Sequence, residues 1–128
     1  MNEENHEQLV QLLFVKVCEI LKITELSLRI MKRTGEKSNK RYILGYINLQ
    51  TKMITLDIWT PRTLKPKSLN GLIRTIAHEI AHYQKPPYKQ RHKGRWIVRQ
   101  HFPLFYKQVE RNINKIKKDK ILCHHFRK

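Results

Sequence analysis

The 128-residue chain lacks several features that would assign it to a membrane, secreted or zinc-finger protein. No apolar run approaches the roughly 20 residues that cross a bilayer as a helix, so we expect no membrane span. The first eight residues are polar and acidic, which predicts no secretory signal and a cytoplasmic protein. Cys18 and Cys123 stand alone and far apart, without the paired spacings of a zinc finger, and we expect free thiols.

Acidic residues are also scarce. The chain has 10 acidic and 27 basic residues, which gives a net charge of +17. This charge is uneven: residues 1–25 carry a net −3, whereas residues 84–128 carry fourteen basic and two acidic residues, a net +12. A basic field of this size attracts polyanions. We therefore predict that any nucleic acid binds segment 84–128; the alternative is a solvated basic surface without such a partner.

The hydrophobic pattern predicts an α+β fold in one domain over residues 1–118, followed by a basic tail over 119–128. Apolar residues at helical spacing predict an N-terminal helix over 5–22. Alternating apolar residues at 26–30 predict a strand, and two β-rich runs within 41–59 predict an antiparallel hairpin. We expect these strands to form a small three-stranded antiparallel sheet in a monomeric protein.

The second half of the chain predicts helices. Ser68 is a suitable N-cap for a helix that Pro86 would end. Another helix is expected to begin within 92–100, to be kinked or divided at Pro103, and to continue to about residue 118.

The motif His78-Glu79-Ile80-Ala81-His82 is the most informative feature of the sequence. On a helix, positions i and i+4 lie on one face, so His78 and His82 can bind one metal ion. Glu79 lies beside that face, within reach of a metal-bound water. A zinc hydrolase needs two neutral nitrogen ligands, an open coordination position and a carboxylate base. The motif therefore predicts a zinc-dependent hydrolase, and its acidic residue favours peptide bonds as the substrate.

A catalytic zinc ion normally has a third protein ligand. His92 is the leading candidate because it follows His82 by ten residues, beyond a proline pair where the chain can turn back. Trp96, four residues later, would pack beside the ligand helix. Spacing alone favours neither of two interpretations of His92, a zinc ligand or an ordinary polar loop residue.

Other residues compete for the third position or for supporting roles. Glu110 is the main rival, as a glutamate from a later helix, although it also fits a surface carboxylate. Asp57 is a weaker rival, and His101 is expected either to support a ligand from behind or to be an ordinary surface or core histidine. A tyrosine near the metal would donate a further hydrogen bond, and the candidates are Tyr83, Tyr88 and Tyr106.

These motifs resemble the core of the SprT-like metallopeptidases, which include the Spartan and WLM-type proteases. Residues 78–82 resemble the ligand helix of the family, and residues 92–96 resemble its later histidine with an aromatic residue four positions on. Segments 45–48 and 53–56 resemble its hairpin. The similarity extends over roughly residues 5–118, and only the HExxH element is highly specific.

The resemblance implies a minimal zincin-like fold with zinc bound by His78, His82 and His92 and with Glu79 as the general base. It also implies an endopeptidase that acts on nucleic-acid-associated proteins, with any DNA contact provided by segment 84–128. Two alternatives remain open: a zinc-stabilised basic module that binds nucleic acid, and a latent protease that needs an activator.

Overall fold

The predicted N-terminal helix is present as α1 (Glu3–Leu21) in the computed structural model, which describes residues 3–31, 45–60 and 65–126. Its buried residues recur at helical spacing and include Val10, Leu13 and Val17. The helix ends before Lys22, whose positive φ of 60° turns the chain toward the first strand.

The sheet contains β1 (Ser27–Ile30), β2 (Gly45–Asn48) and β3 (Met53–Leu56) in the order β1-β3-β2. β2 and β3 pair antiparallel, as predicted for the hairpin; positions 41–44 of that prediction lie outside the described residues. β1 instead pairs parallel to β3, so the prediction of a wholly antiparallel sheet is wrong. The alternation of apolar residues specifies which side of a strand is buried, but it does not specify which distant strand is its neighbour.

Two helices follow, α2 (Leu69–Gln84) and α3 (Pro103–Lys117). The predicted N-cap of α2 is confirmed, because the hydroxyl of Ser68 accepts a hydrogen bond of 3.1 Å from the backbone N–H of Gly71. Pro103 does not kink a longer helix. It occupies the first turn of α3, where a missing N–H has no helical partner to lose.

Between these helices lies a two-stranded antiparallel ribbon, β4 (Tyr88–His92) and β5 (Arg95–Arg99). The prediction that a helix begins within 92–100 is therefore wrong. Lys93 and Gly94 both have positive φ, 50° and 79°, which is the backbone of a two-residue hairpin turn. The following aromatic and β-branched residues favour an extended strand over a helix.

The hydrophobic core is formed by α1, α2, the three-stranded sheet and the end of α3. Leu122, from a short 3₁₀ helix (Leu122–Phe126), is 4% exposed and belongs to this core, although the sequence placed it in the tail. Residues 127–128 of that predicted tail lie outside the described residues. Among the described helices, none is both long and apolar enough to cross a membrane. The α+β class predicted from the sequence is confirmed.

Candidate metal centre

Three imidazoles meet where α2 approaches the start of α3. His78 and His82 lie one turn apart on α2, and His101 lies two residues before α3. One ring nitrogen from each lies within 4.8 Å of the other two. The ring centroids are 5.0 Å apart for His78 and His82, 5.4 Å for His78 and His101, and 4.9 Å for His82 and His101. These three histidines are close enough together to bind one metal ion.

His92, the third ligand that the sequence favoured, is not a member of this group. It pairs with Arg95 at the end of the β4–β5 ribbon, and its side chain is exposed. The ribbon directs the chain outward after α2 instead of turning it back beneath His78 and His82. The histidine that does return is His101, just after the ribbon closes.

The two carboxylate rivals also lie outside the group. Glu110 is an exposed residue of α3, in agreement with a surface carboxylate. Asp57 is fully buried; its carboxylate lies 3.8 Å from the Nζ of Lys67 and accepts a hydrogen bond of 3.2 Å from the backbone N–H of Trp59. Asp57 therefore stabilises the segment that follows β3.

Phe105 forms a common floor beneath the three imidazoles. Its side chain is fully buried, and its ring lies against all three histidines, with centroid distances of 5.0 Å to His78, 4.3 Å to His82 and 5.2 Å to His101. The contact with His82 is stacked, at an interplanar angle of 25°. Because Phe105 lies one turn into α3, packing of this ring positions the preceding His101 beside α2.

A buried amide joins the same two helices farther along. The Nδ2 of Asn112 on α3 donates to the backbone oxygen of Ala77 at 3.2 Å and to the Oε1 of Gln84 at 2.7 Å, and its Oδ1 accepts from Gln108 at 3.0 Å. Ala77 precedes His78 directly. Buried polar groups are satisfied only in a narrow geometry, so this network aligns α3 with the part of α2 that carries the histidines.

The environment favours neutral imidazoles, the form that binds metals. Burial, reinforced by the nearby His78 and His101, lowers the pKa of His82 to about 4. Burial and then the proximity of His101 also lower the pKa of His78. Burial raises the pKa of the Glu79 carboxyl to about 7, in the range suited to a general base.

None of the three rings forms a hydrogen bond with another residue in ranges 3–31, 45–60 and 65–126. His82 is only 9% exposed, and burial of an unsatisfied ring nitrogen is costly. His101, by contrast, is exposed. A metal ion would satisfy the buried nitrogens, and the exposed side of the cluster would leave it accessible to water and substrate.

The sequence pattern that favoured His92 as the third ligand applies equally to His101. An aromatic residue four positions after a histidine occurs at both sites, Trp96 after His92 and Phe105 after His101. Only the second pair lies at the start of a helix that packs on α2. Of the three candidate tyrosines, only Tyr106 lies against the cluster, stacked on His101 at 6.1 Å.

The remaining two tyrosines are engaged elsewhere: Tyr83 donates a short hydrogen bond to Glu25, and Tyr88 packs against Phe102.

Comparison of the chain with protein-family models, with curated proteins and with solved structures finds no match in any of the three. The resemblance to SprT-like metallopeptidases thus stays a prediction from motifs.

Proposed function

We propose that the protein is a zinc-dependent endopeptidase with a SprT-like, zincin-type site, in which His78, His82 and His101 bind zinc and Glu79 is the general base. The observation that supports this proposal is the cluster of three imidazoles whose ligand atoms lie within 4.8 Å of one another. Glu79 follows the first of these histidines on the same helix.

Zinc is the metal that best fits this set of donors. Three neutral nitrogen ligands with one open position are typical of catalytic zinc sites, whereas magnesium and calcium require oxygen ligands. A closed structural site has four protein ligands, whereas this group has three and one of them, His101, is exposed. Both features support an open coordination position. When bound, zinc would supply a Lewis acid that polarises the substrate carbonyl and makes water more acidic.

Glu79 would accept a proton from the attacking water and then deliver it to the departing amine. Its position one residue after His78 places it on the adjoining side of α2, and the residue is buried, at 7% exposure. No other acidic residue lies on α2. This carboxyl is therefore the natural candidate for proton transfer.

An edge of the sheet, as far as its strands are described, offers a place for the substrate backbone. β2 is an edge strand whose only described partner is β3. At its start, a Cβ added to Gly45 would lie 3.4 Å from the side chain of Thr75, three residues before His78. An extended peptide that pairs with β2 would thus run beside the ligand helix, recognised through main-chain hydrogen bonds.

A second candidate function is a binding module in which the metal has only a structural role. The observation in its favour is that the three histidines come from two segments, α2 and the residues before α3, so a bound ion would cross-link them. A latent protease that needs an activator would share the same site.

Hydrolysis of an unstructured protein by the zinc-loaded chain, with and without single-stranded DNA, tests the proposal. Glu79→Gln should lower turnover by about 100-fold or more while it retains zinc, since general-base catalysis contributes about 10²–10⁴-fold. Glu110→Gln is the matched control, because this exposed carboxylate lies outside the cluster. Full activity of Glu79→Gln would overturn the proposal. Zinc binding without hydrolysis in either condition would favour the structural role.

A further inference from the structure

The β4–β5 ribbon projects from the rest of the molecule. Of its twelve residues, 88–99, only Ile97 is partly buried and the others are exposed. Among the described elements, β4 and β5 pack only against each other. At the base of the ribbon, the ring of Tyr88 contacts that of Phe102, with centroids 5.0 Å apart. An isolated two-stranded hairpin is marginally stable. The ribbon therefore adds little to the core, and its side chains are available to a partner.

The ribbon is uniformly basic. It contains no acidic residue, and its cations are Lys89, Arg91, Lys93, Arg95 and Arg99. Within the described part of the chain, none of these five side chains forms an ion pair with a carboxylate. Cations that are exposed and not neutralised by the protein favour an anionic partner.

One face of the ribbon combines these charges with an aromatic surface. The register places Arg91 opposite Trp96 and Lys89 opposite Val98, and directly opposed residues share a face. The guanidinium carbon of Arg91 lies 5.7 Å from the ring centroid of Trp96. The indole is 66% exposed and Val98, on the same face, is 57% exposed, so this face offers an apolar surface among its cations.

We propose that this ribbon binds single-stranded nucleic acid, with a base stacked on Trp96 and with phosphates contacted by Lys89, Arg91 and Lys93. Proteins that bind single strands combine a cationic surface with aromatic rings on which bases stack. A base in a duplex is already stacked on both faces, so an exposed indole favours an unpaired one. Phosphates and base faces are shared by DNA and RNA, and the ribbon recognises that shared chemistry.

The ribbon also lies close to the candidate metal centre. Tyr88 at its base contacts Phe102, and the ring of Phe102 lies 6.3 Å from that of Phe105, the floor of the histidine cluster. The base of the ribbon therefore lies near the cluster, whereas Arg91 and Trp96 lie toward its turn, on the face opposite to Tyr88. Binding by the ribbon is separate from hydrolysis, because it requires neither a metal ion nor Glu79.

Fluorescence of Trp96 measures the contact directly. The chain has two tryptophans, and Trp59→Phe leaves Trp96 as the single emitter while an aromatic ring remains against His6. This variant is titrated, in EDTA, with a twelve-nucleotide oligothymidine, the matching oligouridine and a duplex of the same length. We expect both single strands to quench Trp96 and to bind more tightly than the duplex. Binding without quenching, or equally tight binding of the duplex, would overturn the proposal.

Two substitutions of the same kind distinguish the effect of a local contact on binding from the effect of net charge. Lys93→Asn and Lys22→Asn each remove one exposed lysine at a position of positive φ, 50° and 60°, where asparagine is well accommodated. Lys93→Asn should weaken oligonucleotide binding and reduce the slope of log K against log salt by roughly 0.7, the value for one phosphate contact on a single strand. Lys22→Asn should change neither; an equal loss in both variants would overturn the proposal.

A third substitution tests stacking. Trp96→Ala should weaken binding by roughly 5- to 150-fold, the cost of losing one stacked base. Trp96→Phe should retain most of the affinity because it retains a ring. An unchanged affinity in Trp96→Ala would show that the indole is not the contact surface.

Discussion

The phenyl ring of Phe105 stacks on the imidazole of His82, with centroids 4.3 Å apart and ring planes 25° from parallel. This contact connects a fully buried side chain in the first turn of α3 to the second histidine of the HExxH motif. It explains why the third histidine of the cluster precedes α3: packing of Phe105 against α2 brings His101, one turn earlier, to the same place.

The two candidate third ligands can be distinguished by a pair of substitutions. His101→Ala should weaken zinc binding by about 100-fold or more, because even loss of a group that only supports a ligand costs roughly 10–100-fold. His92→Ala should leave affinity unchanged, since this exposed side chain lies outside the cluster. Competition with a chromophoric chelator measures both. The reverse result would restore His92 as the ligand.

Zinc binding should stabilise the folded protein. At a free zinc concentration 100 times the Kd, the free energy of unfolding should rise by about 2.7 kcal/mol, provided that the unfolded chain does not bind the ion. EDTA should reverse the gain, and magnesium should not reproduce it because imidazole nitrogens are poor ligands for that ion. Urea unfolding with each ion provides the measurement; equal stabilisation by both would argue against the histidine cluster as the site.

Phe105 should affect both stability and metal affinity. Phe105→Ala removes a fully buried ring and should lower the free energy of unfolding by about 3–5 kcal/mol. It should also weaken zinc binding, because the ring lies against all three imidazoles. Phe14→Ala is the control: this core phenylalanine of α1 should cost similar stability with no change in affinity for zinc. Equal zinc affinity in both variants would contradict a positioning role for Phe105.

The amide network between α2 and α3 predicts that replacing two asparagines of α3 will lower the free energy of unfolding by very different amounts. Asn112→Ala leaves the partly buried amides of Gln84 and Gln108 without their partner and should lower the free energy of unfolding by about 1–3 kcal/mol. Asn114→Ala, at an exposed position two residues later, should stay within about 0.5 kcal/mol of the parent. Chemical denaturation would show whether the two costs differ; similar costs would mean that the network contributes little.

The two thiols should react at very different rates. Burial raises the pKa of Cys18 to about 11, whereas Cys123 is only partly buried. The thiolate is the reactive form. At pH 8 a disulfide reagent should therefore modify one cysteine of the native protein and two of the unfolded protein. Reactivity of Cys18 should increase as the pH rises toward 11; rapid modification of Cys18 at pH 8 would show that it is not buried.

Local features of the fold follow directly from the sequence. The pattern of apolar residues predicted α1 and the β2–β3 hairpin, and the Ser68 hydroxyl predicted the start of α2. The ribbon was missed because its basic residues resemble a polar loop or a solvated helix. Its identity as a hairpin depends on two residues with positive φ, Lys93 and Gly94, and lysine gives no clear signal for that backbone.

One feature of the fold and one of the site depend on contacts between distant segments. β3 lies between β1 and β2 and pairs parallel with β1, and neither strand order nor strand direction is contained in the alternation of apolar residues. The third histidine likewise depends on how α3 packs on α2 through Phe105 and Asn112.

The sequence by itself determined that His78 and His82 share a face of one helix, since the 3.6-residue repeat is local, and that the ribbon segment is strongly basic. The tertiary structure decided that His101 completes the cluster and that His92 stands exposed on the ribbon. The reason is that a third ligand is selected by the packing of separate elements, and the distance between them in space is not given by their spacing along the chain.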